Sequence, residues 1–215
     1  MFKNIFSVGA TLSASEEIAM PYSAEHKQRT RARIVECARA LFNRKGYAEV
    51  SIEEIMASAG LTRGGFYNHF RTKEALFVEA VAAYQDFNPA ERWPDIDFDP
   101  QRGGTEFARQ MVNVYLSREH LDDIDGQCPI IALPSDVAHA STGVKRAYRG
   151  LLERLAGMLA QGADASAGAQ AARQRGLALA ALCVGGMVLA RTIEDDAFRE
   201  EIRAAARATA HELID

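Results

Sequence analysis

At 215 residues, 48% hydrophobic and 25% charged, the chain is large enough to bury a core without disulfides and has an ordinary globular balance. A net charge of -4 argues against a nucleic-acid partner only if it is spread evenly. It is not: residues 24–74 hold ten Lys/Arg against six Asp/Glu, and the remainder 15 against 23, a basic module on an acidic body. Cys37, Cys128 and Cys183 are odd in number and far apart, which excludes a disulfide framework and a CxxC-type zinc site and suits a reducing cytosol.

Residues 1–23 begin with Lys3 and an apolar patch, Ile5 to Leu12, broken by Ser7 and Gly9. The patch is too interrupted for a signal peptide, and the segment is expected to be a disordered extension, with Met20 an alternative start. A first helix is predicted from Ala24 to Lys45. Ile34, Ala38, Leu41 and Phe42 recur at helical spacing with Cys37 alongside, and Gly46 ends it. Its early turns carry Lys27, Arg29, Arg31 and Arg33, which form either a solvated face or a set of charges held near a phosphate backbone.

Ser51 and Glu54 have the S-x-x-E spacing of a capping box, so a second helix opens at Ser51. Ile52, Ile55 and Ala59 share one face of it, and Gly60 is placed to stop it. Thr62 then caps a short helix reaching Phe70, and the pair makes a helix-turn-helix. Gly64 and Gly65 each disfavour a helix by about 1 kcal/mol relative to alanine, which makes sense where another surface must approach the backbone. Arg63 can reach a guanine edge with two hydrogen bonds, while Thr62, Tyr67, His69 and Lys73 offer donors to phosphates. A surface turn with scattered polar residues is the plainer account of the same stretch.

The segment from Lys27 to Val81 resembles the DNA-binding domain of the TetR family of bacterial transcriptional repressors. The matching pieces are RIVECARALFNRKGY (Arg33 to Tyr47), SIEEIMASAGLTRGGFYNHF (Ser51 to Phe70) and RTKEALF (Arg71 to Phe77). The resemblance implies base reading by Arg63 and the face around Gly64 and Gly65. It also implies phosphate contacts from Thr62, Tyr67, His69 and Lys73, with Phe66 and Phe70 in the core.

Thr72 caps a longer helix running to Phe87, so one element would carry Lys73 at one end and Tyr84 at the other. Pro89, Pro94, Pro100, Gly103 and Gly104 predict an irregular stretch from Asn88 to Gly104, and helix resumes from Thr105 to Glu119. Pro129 suits the first turn of a helix, whereas Pro134 kinks or restarts it with Ser135 as a new cap. Cys128 would then stand at a helix N-terminus, where the dipole lowers a thiol pKa. Gly126 to Pro134 is similar to the glycine-cysteine segment of a TetR subgroup that includes repressors answering to reactive electrophiles. On that basis Cys128 lines the effector pocket and reacts with such compounds; a buried structural thiol is the alternative. Trp93, Phe98, Phe107, Met111, Tyr115, Cys128 and His139 are the candidate lining. A Cys128–His120–His139 metal site has no support from the spacing, and no metal or cofactor is expected.

Further helices are predicted over Thr142 to Gln161 and, after a small-residue loop from Gly162 to Gly168, over Leu177 to Ala190, with a final helix carrying Phe198 to Leu213. Leu177 to Ala190 is apolar nearly all round but too short to span a bilayer, so no membrane partner is expected. The family analogy makes the last two helices half of a four-helix dimer interface, with Leu182, Gly185, Gly186, Leu189, Phe198 and Ile202 as candidates; burial within a monomer is the alternative. The fold class is therefore all-α. It comprises an N-terminal three-helix helix-turn-helix DNA-binding domain (24–80) and a C-terminal helical ligand-binding and dimerisation domain (81–215). The function expected is a cytoplasmic, ligand-responsive repressor that binds a palindromic operator in double-stranded DNA as a homodimer and is released by a small-molecule effector. The alternatives are a thiol enzyme pairing Cys128 with His139 and an architectural DNA-binding protein without sequence preference.

Overall fold

Every element of the computed structural model, which describes residues 24–162 and 168–215, is helical; the expected extension and most of the small-residue loop lie outside the described residues. Helix α1, Ala24–Lys45, buries Ile34, Val35, Ala38 and Phe42 on one stripe, as the periodicity requires. Helix α2, Ile52–Ser58, begins where the Ser51 hydroxyl accepts the Glu54 N–H at 3.0 Å, and Glu54 is hydrogen-bonded in return by the Ser51 backbone. Gly60 ends it at φ +67°, a left-handed conformation that glycine enters without a Cβ clash.

The next element is a 3-10 helix, Arg63–Asn68, rather than the α-helix expected from Thr62 to Phe70, and Thr62 makes no side-chain cap bond. Gly64 and Gly65 weaken α-helix here, and the Gly65 N–H bonds to the Thr62 carbonyl three residues back at 3.0 Å. Phe66 and Phe70 are buried on its inner side. Helix α3, Lys73–Ala83, is capped by Thr72, whose hydroxyl accepts the Ala75 N–H, and continues as a 3-10 turn, Tyr84–Asp86.

The proline-rich stretch holds one regular turn, α4 (Pro89–Arg92), because Asn88 caps it and Pro89 occupies its first position. Helix α5, Gly104–Tyr115, stops short of Glu119, since Ser117 caps a separate helix α6, Arg118–Asp122. Two single turns follow, α7 (Pro129–Ala132) and α8 (Pro134–Ala138). Pro134 does restart the chain, but Leu133 and not Ser135 occupies the capping position. Helix α9, Thr142–Leu159, is capped by Ser141; α10 is Gly168–Arg191; and α11, Asp196–Ile214, is capped by Asp195.

One contiguous apolar core runs from α1 to α11. Helix α3 packs on α1 and α9, and α10 packs on both α9 and α11. Gly176 permits the α9–α10 approach, since a Cβ there would fall on the carbonyl oxygen of Ala156. Among the described residues there is no strand, and no helix is long and apolar enough to cross a membrane.

Candidate functional site

Two places in the fold gather the candidate residues. The first is the outer side of the 3-10 helix. Thr62, Arg63, Gly64 and Tyr67 are exposed there, with Tyr67 62% accessible and edge-on to the buried Phe66 ring. Arg63 has no ion-pair or hydrogen-bond partner among the described residues. It lines a shallow depression with Ser51, Glu53 and Lys73. Gly65 and His69 are half-buried and border a second depression with His26 and Lys27.

His69 is held below the usual histidine pKa by its partial burial first, then by Lys27 and Arg31, so it is a neutral donor and not a cation. Lys73 lies over the Tyr47 ring, 4.4 Å from its centroid, and its pKa is lowered by burial. Arg31, one of the early cations of α1, faces inward. It pairs with Glu79, donates to the His69 carbonyl and sits 4.0 Å over the Phe70 ring. It braces the helix-turn-helix, and these contacts compete with any phosphate.

The second place is a cavity of about 260 Å³ beneath the far end of α3. Trp93, Phe98, Phe107, Met111, Tyr115 and Cys128 all line it. His139 does not. The break at Leu133–Pro134 turns the chain back toward the end of α1, and His139 borders a separate depression with Tyr47, Glu74 and Asp136. Cys128 therefore has no His139 base; its own N–H donates instead to His120 Nε2 at 3.1 Å.

The lowered thiol pKa expected of Cys128 is also corrected. The side chain is 2% exposed, and its burial pushes the thiol up to about 12, outweighing the Ile130 and Ile131 N–H groups and the Tyr115 hydroxyl that act to lower it. A four-residue helix has too little dipole to reverse that. His120 is fully buried and is pushed down to about 4 by that burial. Its Nδ1 faces the Tyr115 carbonyl at 2.8 Å, which sets the donor on that nitrogen. Among the described residues no group of three His, Cys, Asp or Glu is gathered to hold a metal ion.

Sequence patterns did not single out His120, Tyr84 or Phe87 as lining, because their convergence on the cavity depends on how α3, α4 and α6 pack. Leu151 and Leu155 also line it, and they were visible only as an apolar stripe of α9.

A polar seam joins the cavity to the last turns of α1. Asp123 accepts from Trp93 Nε1 at 3.1 Å and from both Arg92 Nε and Nη2, at 2.6 and 2.7 Å. The Arg92 guanidinium is the main reason the Asp123 carboxyl falls to about 2. Next along the chain, the Asp125 carbonyl accepts from Arg39 Nη1 at 2.6 Å, and the Gln127 carbonyl from Asn43 Nδ2 at 2.8 Å.

A third surface is the outward side of α10 and α11. Leu189 and Phe198 are 58% and 49% exposed, and Leu182, Gly185 and Ile202 are half-buried beside them. Gly186 is not on that side. It is buried within the chain, where a Cβ would stand 2.9 Å from that of Ala206, so its smallness serves the α10–α11 crossing.

Comparison with known proteins bears on the first of these places. Residues 34–80 match the family described as bacterial regulatory proteins, tetR family. The HTH-type transcriptional regulator AcrR of Shigella flexneri is 42% identical over 55 residues, 26% of this chain and 26% of that protein. An uncharacterized HTH-type transcriptional regulator, YerO, of Bacillus subtilis is 42% identical over 52 residues, 24% of this chain and 18% of that protein. The chain thus spans about a quarter or less of the length of these two relatives. Across the whole fold, a tetR-family transcriptional regulator from Cytophaga hutchinsonii superposes with a TM-score of 0.68 at 18% identity, over 87% of this chain and 94% of that one. That likeness is one of fold. The likeness to the tetR family of bacterial regulatory proteins thus rests on residues 34–80.

Proposed function

We propose that the chain is a ligand-responsive transcriptional regulator, most simply a cytoplasmic repressor, that binds a palindromic operator as a homodimer and leaves it when a small molecule enters the cavity. The observation that supports this best is the two-ended course of α3 and its 3-10 continuation. Lys73 lies beside Arg63 at one end, and Tyr84 lines the cavity at the other. A ligand that displaces Tyr84 tilts the lever on which the DNA-reading end is mounted. The seam from Asp123 to Asn43 offers a second connection, into α1.

In this reading residues 24–80 form the DNA-binding domain and 81–215 the effector and dimerisation domain. Arg63 reads a base edge, Thr62, Tyr67 and His69 contact phosphates, and Lys73 swings off Tyr47 to join them. The exposed apolar side of α10 and α11 pairs with its copy. Two helix-turn-helix units then address half-sites about one turn, roughly 34–36 Å, apart. A coupling of about 1–3 kcal/mol weakens DNA binding roughly 5- to 150-fold. The protonated, enclosed Cys128 thiol favours a non-covalent effector over an electrophile.

The test is retention of fragmented genomic DNA by purified protein, with sequencing of what is kept. Enrichment of one or a few palindromes is expected. Retention at random with a steep salt slope would instead indicate an architectural protein.

A further inference from the structure

Helix α9 gives the cavity Leu151, Arg154, Leu155 and Met158, whose spacing puts them on one stripe of the helix. Three of the four are apolar. Arg154 is the one charged residue of the lining, and it has no ion-pair or hydrogen-bond partner among the described residues. Arg154 and Pro100 are the exposed members of the lining, so they mark where the cavity opens. The acids next to them are already paired. Glu153 lies 3.8 Å from Arg149 and 3.7 Å from Arg173, and Asp99 lies 3.7 Å from Arg102.

The Gln85 amide stands at the same mouth. Gln85 is half-buried in the lining, and its amide makes no hydrogen bond among the described residues. Its Nε2 lies 3.7 Å from the place a Cβ on Gly150 would take. Gly150 is four residues before Arg154, about 6 Å along the axis at 1.5 Å per residue, so amide and guanidinium share one side of α9.

Further in, the polar groups are engaged or neutral. Trp93 Nε1 donates to Asp123, and the Asn88 amide is held by the Ala90 N–H and the Glu91 carboxylate. Both His120 nitrogens are occupied, and the ring is neutral at pH 7. The Tyr115 hydroxyl is sealed against Cys128, and burial keeps Tyr84, Tyr115 and Cys128 protonated. An anion drawn into this interior would be uncompensated, whereas an apolar body is favoured there.

The geometry points to an amphipathic monocarboxylate as the effector, with a compact apolar body inside the cavity and its carboxylate at the mouth on Arg154 and the Gln85 amide. The planar guanidinium fork matches a carboxylate, and one cation balances one negative charge but not the two of a phosphate monoester. A volume of about 260 Å³ suits a body of one or two rings. This rests on the reading of the cavity as an effector site, and it adds the class of effector.

Trp93, the only tryptophan of the chain, lines the cavity, so its fluorescence reports occupancy. Four probes separate the features: 4-phenylbutyrate, its primary amide without the charge, 4-phenylbutylamine with the opposite charge, and acetate without the body. The full chain is expected to bind 4-phenylbutyrate about tenfold more tightly than the amide, between what an exposed ion pair and a charged hydrogen bond give. That ratio should shrink as salt rises. The amine and acetate are expected to bind more weakly than 4-phenylbutyrate. Arg154→Gln should bring the acid and the amide to within about threefold while leaving amide affinity unchanged, a change of preference that lost packing does not produce. Gln85→Leu should lower the preference by about threefold. Arg149→Gln, on an exposed residue of α9 outside the lining, should leave it intact.

Equal affinity for the acid and the amide in the unaltered chain overturns the inference, without need of a variant. So do the amine or acetate matching 4-phenylbutyrate, a preference that survives Arg154→Gln or Gln85→Leu undiminished, an equal loss in Arg149→Gln, or no saturable binding. The outcome is separable from that of the regulator reading, which is decided on DNA alone. Operator binding without 4-phenylbutyrate binding removes this inference only, and 4-phenylbutyrate binding without specific DNA binding removes the regulator and leaves the cavity's chemistry standing.

Discussion

Arg191, the last residue of α10, donates through Nη2 to the carbonyl oxygen of Asn43 at 3.0 Å, joining residues 148 apart in the chain. Its Nη1 donates to Gln127 Oε1 at 2.8 Å, and Gln127 Nε2 donates in turn to the Leu121 carbonyl at 2.8 Å. One guanidinium thus ties the end of α1 to α10 and to the segment leading into the cavity. Arg191→Ala leaves the Gln127 amide oxygen and the Asn43 carbonyl short of a partner on two buried residues. A loss of about 1–3 kcal/mol in chemical denaturation is expected. The more telling readout is coupling. Operator affinity without ligand should hold to within a few-fold, while the weakening caused by an effector should shrink. A variant that lost stability but kept the full effector response would remove the seam from the transmission route.

Cysteine accessibility offers an independent check of the cavity. Burial holds the thiols of both Cys128 and Cys183 at about 12, whereas Cys37 is only half-buried. Because the thiolate is the reacting form, native protein treated with N-ethylmaleimide should be modified at Cys37 first. The other two should react only at the rate of unfolding. Mass spectrometry of timed digests decides this. Rapid modification of Cys128 in the folded chain would restore the electrophile reading.

Acid stability should fall in two stages. His120 has a folded pKa of about 4 against an ordinary 6.5, so the unfolded chain binds its proton first. The stability this neutral histidine represents is complete above pH 6.5 and declines as pH falls toward 4, by roughly 3 kcal/mol at most at 1.36 kcal/mol per unit. Asp123 acts lower down. Its folded pKa is about 2 against 3.8, so its contribution is present above pH 3.8 and is lost as pH falls toward 2. Urea midpoints between pH 7 and 4 measure the first stage. His120→Gln, which keeps a donor and an acceptor but does not titrate, should flatten it.

Gly176 tests the helix packing. Alanine gains about 1 kcal/mol over glycine in a helix interior, but here its Cβ would fall on the Ala156 carbonyl oxygen of α9, which is backbone and cannot rotate away. Gly176→Ala is expected to destabilise by about 1–3 kcal/mol. Gly157→Ala, facing open space on α9, should be neutral or stabilising. Equal melting temperatures for the two variants would mean that the helices are not so close.

What could be read from the chain alone was whatever depends on neighbours in sequence. Ser51, Thr72 and Gly60 act as caps and stop within a few residues of themselves, and the family resemblance already implied a core place for Phe66 and Phe70, which are buried. Errors arose where a distant contact outweighed a local rule. A helix start promised Cys128 a low pKa, but burial under α3, α5 and α9 decides it. Gly186 beside Gly185 looked like one close-approach surface, yet they lie on different sides of α10, and only Gly186 meets Ala206. His139 was grouped with Cys128 for want of any local sign that Leu133–Pro134 reverses the path. The rings that meet at the cavity, Tyr84, Phe87, Trp93, Tyr115 and His120, come from the turns after α3 and α4, from α5 and from α6, and no short window of sequence contains them.

Arg63 and Lys73 border the same depression, yet the two should behave differently on DNA. Arg63 is exposed, has no partner among the described residues, and stands on the 3-10 helix that presents its outer side to solvent. No contact among the described residues must be broken for it to reach a base edge. Arg63→Ala should therefore cost about 1–3 kcal/mol on the specific operator, roughly 5- to 150-fold, with little change on unrelated DNA. Lys73 lies over the Tyr47 ring and must leave that contact before it reaches a phosphate. Lys73→Ala should weaken specific and unrelated DNA alike and lower the salt slope by about 1. Because the ring contact offsets part of the phosphate gain, its loss of affinity on the operator should be smaller than that of Arg63→Ala. Fluorescence anisotropy over a salt series, on operator and on scrambled duplex, separates the two. The same salt slope for both variants would mean that Arg63 is only another phosphate contact, and base reading would have to be assigned elsewhere on the 3-10 helix.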